Sequence, residues 1–95
     1  MKATFLIKLL SETSKPEIMN LLLKALFTNK EIKELENRIK IFQLLLKGKK
    51  QREISEILNV GVATVTRGAS ALENEDIFKV NSEIIQMLKT NKIDL

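Results

Sequence analysis

The sequence predicts an all-α chain of about six short helices that contains a helix-turn-helix, two copies of which interlock as a homodimer. Three observations carry this. Apolar residues recur at three- and four-residue spacing along most of the 95 residues. Between Lys50 and Leu72 two brief amphipathic runs are separated by Asn59-Val60-Gly61. Two further helices are apolar on more sides than so small a chain can cover, so helices of two chains are expected to share one core.

Taken in order, residues 3–11 place Phe5, Leu6, Leu9 and Leu10 on one side of a short helix, with Lys2 and Lys8 opposite. Ser14-Lys15-Pro16-Glu17 restarts a helix. Ser14 is the expected cap on the Glu17 amide, and Pro16 in the first turn needs no donor. That helix runs to about Leu26, and IMNLLLKAL within it is apolar nearly all round. Phe27-Thr28-Asn29-Lys30-Glu31-Ile32 is the clearest start signal. Thr28 is the N-cap, Glu31 its capping-box partner, and Phe27 with Ile32 a hydrophobic staple. The long helix that follows carries Ile32, Leu35, Ile39, Phe42 and Leu46 on its expected core face and Ile41, Leu44 and Leu45 on flanking positions, ending at Gly48.

From Lys50, Ile54, Ile57 and Leu58 mark the buried side of one helix, and Val65, Ala69 and Leu72 that of a second. Asn59 and Gly61 both suit the left-handed backbone of the turn, Val60 tucks inward, and small Ser55 lets the helices approach. The outward face of the second helix then holds Val62, Ala63, Thr64, Thr66, Arg67 and Ser70. Methyls, hydroxyls and one cation suit a major groove, where short side chains touch base edges and Arg pairs with phosphate or guanine. After the acidic break at Glu73-Asn74-Glu75-Asp76, Ile77, Val80, Ile84 and Leu88 predict a closing helix that starts after Asn74 or after Asn81, and Thr90 to Leu95 a frayed end.

Charge points the same way. Sixteen cations against twelve acids give a net charge of +4 and a pI near 9.5, which favours a polyanionic partner. The excess is local: residues 29–72 hold nine cations and five acids, residues 73–95 three cations and five acids. Lys47, Lys49, Lys50 and Arg52 cluster at the entry to the first helix of the motif, where such proteins meet the phosphate backbone. With no Cys and no His, disulfides, a zinc module and the commonest catalytic bases are excluded, and neither an enzyme nor a metal is expected. No secretory signal or membrane span is expected either, so the chain reads as cytoplasmic.

The run ENRIKIFQLLLKGKKQREISEILNVGVATVTRGASAL resembles the bacterial trp repressor family. Most specific are Ala63-Thr64-Val65-Thr66-Arg67-Gly68, Arg38-Ile39-Lys40-Ile41, Leu45-Leu46-Lys47-Gly48 and Gln51-Arg52-Glu53-Ile54. The resemblance implies an intertwined homodimer that binds double-stranded operator DNA when L-tryptophan, as corepressor, occupies a pocket beside each reading head. It implies residues 1–95 as a single domain, with 1–49 and 74–95 as dimerisation core and 50–73 as reading head. Carried over by position, it places the indole between Arg38 and Arg67, with Gly68 leaving room. Arg67 pairs with the ligand carboxylate, Thr28 of the partner chain donates its hydroxyl, and the carbonyls of Ala25 and Phe27 receive the ammonium group. For DNA it points to Gln51, Arg52, Val62, Ala63, Thr64 and Thr66, to which the charge pattern adds Lys49 and Lys50. The residue pattern alone makes Arg38 a solvated charge and Arg67 a phosphate contact.

Three departures bear on function. Ala71 stands where better-known members carry a Ser that helps hold the ammonium group, a polar contact worth about 0.5 to 1.5 kcal/mol. Glu73 stands where a Lys contacts phosphate. The turn after Gly48 is one residue shorter and lacks a Ser cap before Gln51, and the N-terminal helix is shorter too. The alternatives are a constitutive or differently liganded helix-turn-helix regulator and a helical module that contacts protein or RNA.

Overall fold

The computed structural model describes residues 2–74 and 82–91. Six helices occupy them, with no strand among the described residues: α1 (Thr4–Glu12), α2 (Pro16–Leu26), α3 (Asn29–Leu46), α4 (Gln51–Leu58), α5 (Val62–Asn74) and α6 (Ser82–Thr90). No helix among the described residues is long and apolar enough to cross a membrane. The expectations for Glu75, Asp76, Ile77, Val80, Asn81 and residues 92–95 lie outside the described residues. The chain divides into two units, Met1–Glu34 and Leu35–Leu95.

In the first unit, α1 ends where the Thr13 hydroxyl donates to the Leu9 carbonyl at 2.8 Å. Helix α2 begins differently from the sequence expectation. Its N-cap is Lys15, in extended backbone and without a side-chain bond, rather than Ser14. Pro16 explains the shift: it excludes the preceding residue from helical backbone and itself takes the first helical position, where no N–H is needed. The start of α3 is as expected. The Thr28 N–H donates to Glu31 Oε1 at 2.9 Å and the Glu31 N–H to Thr28 Oγ1 at 3.1 Å, a complete capping box. Neither α1 nor α2 has a fully buried side chain, and Phe5 and Leu21 remain 80% and 68% exposed.

The second unit is built on Ile41, Leu44, Ile54 and Val65, with Leu45, Leu58 and Val60 packed at the margin. Ile41, Ile54 and Val65 are fully enclosed, each worth about 1.5 to 3 kcal/mol in removed apolar surface. The buried face of α3 is thus Ile41 and Leu44, not the expected stripe, from which Leu35 and Ile39 are exposed. The helix carries two apolar stripes, and α4 and α5 cover the one that the Ile41 spacing defines. Its end follows the αL rule: Gly48, at φ 84°, donates to Leu45 and Lys49 donates to Leu44, a Schellman closure.

Helix α4 lacks a side-chain N-cap, yet Glu53 in its first turn accepts the Lys50 N–H at 3.2 Å, half of a capping box. The turn is set by Asn59, whose φ of 53° is left-handed. Gly61 is not; it stands before α5 and its carbonyl accepts from Thr64 and Val65. One left-handed residue suffices to reverse the path, and Asn59 supplies it. Ser55 fixes the turn from within. Its hydroxyl donates to the Val60 carbonyl at 2.6 Å, and its own carbonyl accepts the Val60 N–H at 3.1 Å. Val60 tucks inward as expected, whereas Ile57 is exposed, because α5 crosses the Ile54 and Leu58 side of α4.

Beside this core sits a buried polar side chain. Gln43 Nε2 donates to the carbonyl of Leu88 at 2.7 Å and to that of Asn91. Thr90 and Asn91 side chains donate to the Gln86 and Met87 carbonyls. Of the carbonyls at the end of α6, Leu88 takes the Gln43 amide, and Met87 accepts both the backbone and the side-chain N–H of Asn91.

Candidate nucleic-acid and ligand site

Helix α5 has two faces of opposite chemistry. Val65, Gly68, Ala69 and Leu72 are buried, while Val62, Ala63, Thr66, Arg67 and Ser70 are exposed and Thr64 is half-buried. Val65 in the core fixes the helix about its axis, so this outward set is held rather than free to roll. Lys49, Lys50, Gln51 and Arg52, all exposed, lie at the start of α4. The side chains of the two helices are joined directly, since the Thr66 hydroxyl donates to Gln51 Oε1 at 2.8 Å. Arg67 Nη2 donates to Thr64 Oγ1 at 3.3 Å.

At Gly68, α5 lies directly against side chains of α3. A Cβ built there would stand 2.9 Å from Ile41 Cγ2 and 3.5 Å from Arg38 Cδ. The space that the glycine leaves is therefore taken by Ile41 and by the stem of Arg38. The half-buried Arg38 thus lays its stem along Gly68, the residue that follows Arg67 in the sequence. Planar guanidinium faces stack on aromatic rings and pair bidentately with carboxylates. Ala71, one turn further on, is half-buried.

In the first unit, Thr28 is exposed and its Oγ1 serves as acceptor in the cap. The Glu31 carboxyl is held below its ordinary value of 4.5 by the bond from the Thr28 backbone N–H, and further by the Thr28 hydroxyl. Ala25 lies in the last turn of α2, where carbonyls lack a partner within the helix. Phe27 has already left the helix in extended backbone.

Three of these contacts escape sequence reasoning: Gln43 on the end of α6, Ser55 on the turn, and Thr66 on Gln51. Only the second leaves a local sign, a serine one turn before the break.

A two-helix corner whose second helix is seated by a buried valine and turns hydroxyls and a cation outward defines a helix-turn-helix protein. The comparisons with known proteins give the family. The family model described as Trp repressor protein matches residues 2–81, and the chain belongs to that family, one of transcriptional repressors rather than enzymes. Similar curated proteins are each named Trp operon repressor homolog. One from Xylella fastidiosa (strain M23) is 37% identical over 73 residues, covering 76% of this chain and 79% of its own. One from Vibrio vulnificus (strain YJ016) is 42% identical over 66 residues, 65% of each. One from Vibrio campbellii is 45% identical over 56 residues, 58% of this chain and 56% of its own. No solved structure matches the chain.

Proposed function

We propose that this protein is a homodimeric repressor of trp operon type that binds double-stranded operator DNA when L-tryptophan occupies a site at each reading head. The observation that carries the reading is α5 itself. Its outward face offers Val62, Ala63, Thr64 and Thr66 to DNA, while Gly68 on its buried side packs against the stem of Arg38. The same helix carries Arg67, so a ligand that fixes α5 changes the population of DNA-competent heads. In this reading the indole lies between Arg38 and Arg67, and Arg67 holds the carboxylate. Thr28 of the partner chain donates its hydroxyl to the ligand, and the carbonyls of Ala25 and Phe27 take the ammonium group. Lys49, Lys50, Gln51 and Arg52 meet phosphates.

The dimer is supported by what one chain leaves open. Helices α1 and α2 have no fully buried side chain, and Leu21, Leu26, Leu35 and Ile39 are all at least 42% exposed. A second copy supplies the cover.

The test is duplex binding with and without L-tryptophan, using DNA selected from a random pool. Ligand-dependent binding is the expected result. Binding to RNA in preference to duplex would favour the interaction-module reading instead. A second regulator reading is favoured by Ala71, a half-buried methyl at the position expected for an ammonium contact. Calorimetry with L-tryptophan and with other amino acids separates a tryptophan-responsive repressor from a constitutive or differently liganded one.

A further inference from the structure

We infer that Thr66 is a positioning residue: its hydroxyl fixes the Gln51 side-chain amide with both N–H donors turned outward to a DNA phosphate, and Thr66 itself reads no base. The inference rests on the DNA-binding reading above and assigns roles within that surface.

The carrying observation is the 2.8 Å bond from Thr66 Oγ1 to Gln51 Oε1, which spans fifteen residues and joins the second turn of α5 to the first residue of α4. A threonine hydroxyl has one proton. With that proton given to Gln51, Thr66 keeps only acceptor capacity toward any third group. The effect on Gln51 is larger. An exposed glutamine amide has two nearly isosteric orientations, related by exchange of its oxygen and nitrogen. The bond from Thr66 holds the otherwise mobile Gln51 side chain in one place, by about threefold to tenfold for a neutral exposed bond, and there Oε1 faces the hydroxyl. That orientation presents the two N–H groups away from Thr66.

A group that offers only donors matches phosphate oxygens, which only accept. It matches adenine less well, because the bidentate pairing of glutamine with that base uses the amide oxygen as well as the nitrogen. The surroundings agree, for Lys49, Lys50 and Arg52 are all exposed beside Gln51 in the sequence. Base reading on α5 is thereby left to Val62, Ala63 and Thr64.

The experiment uses the full chain with saturating L-tryptophan and a duplex of about 20 base pairs, the span of two half-sites, selected by the wild-type protein from a random-sequence pool. Thr66→Val and Gln51→Ala should each weaken binding about threefold to tenfold per reading head. The double variant should be no weaker than either single one, since both remove the same oriented amide. Thr66→Ser should restore wild-type affinity, Thr66→Val should select the same duplex sequence from the pool, and thermal midpoints should be unchanged. Losses that add in the double variant, or a new sequence selected by Thr66→Val, would overturn the positioning role while leaving DNA binding intact. A wild-type protein that selects no duplex would overturn the DNA-binding reading and the inference together.

Discussion

Replacing Gly68 by alanine sets two opposing effects against each other. Within a helix, alanine in place of glycine is favourable by about 1 kcal/mol, because it restricts the unfolded chain. At this position, however, the new Cβ would stand 2.9 Å from Ile41 Cγ2, well inside the roughly 3.5 to 4.0 Å of ordinary carbon contact. Ile41 is fully buried among Leu44, Ile54 and Val65 and has no open side to move into. Overpacking of such a core costs about 1 to 3 kcal/mol. The net expectation is a loss of about 0 to 2 kcal/mol, and each kcal/mol lowers the thermal midpoint by about 4 to 8 °C in a domain of this size. Because the clash is with one methyl, Gly68→Ala combined with Ile41→Leu should recover most of the loss, since leucine has no branch at Cβ. Thermal unfolding of the two variants at one fixed protein concentration reads this directly. Stabilisation of Gly68→Ala by about 1 kcal/mol, the response of an open helical glycine, would refute the close crossing of α5 on α3.

The other perturbations are more local. Arg67→Ala should weaken L-tryptophan binding by about 2 to 5 kcal/mol, through loss of a carboxylate partner and one stacking face; an unchanged dissociation constant in a titration without DNA would remove Arg67 from the ligand site. Ser55→Ala should lower stability by about 0.5 to 1.5 kcal/mol, because its hydroxyl is bonded to Val60 at 2.6 Å, and a neutral result in urea unfolding would mean that the turn holds without it. Glu31 has a depressed carboxyl pKa, so its contribution is full above the unfolded-state value of 4.5 and fades as pH falls through the folded-state value. Glu31→Gln should flatten stability over that acidic window, and parallel profiles for the two proteins would count against the cap. Sedimentation should find a dimer at micromolar concentration, and a folded monomer there would contradict the shared core.

Where a structural choice is made by a few adjacent residues, the sequence was legible. Thr28 with Glu31, Gly48 after α3, and Val65 opposite Thr64 and Thr66 are each decided by local geometry, and each is found as expected. Choices between near-equivalents were not legible. Helix α3 carries two apolar stripes, and periodicity cannot rank Leu35 and Ile39 against Ile41 and Leu44, because the ranking comes from which stripe α4 and α5 cover. Asn59 and Gly61 both tolerate left-handed backbone, and only the closed turn shows that Asn59 takes it. At the candidate site, residue types and spacing pointed to the surface itself. The pairing of Thr66 with Gln51 depends on the distance between two helices, which no local pattern encodes.

The Gln43 contact gives α3 the character of a shared axle. Within a single turn, Ile41 and Leu44 are seated in the core with Ile54 and Val65, while Gln43 between them grips the carbonyl end of α6. A rotation of α3 by even part of a residue step would shift the socket that holds α4 and α5 and, in the same motion, draw the amide off Leu88 and Asn91. Helix α6 and the helix-turn-helix are therefore geared to one shaft.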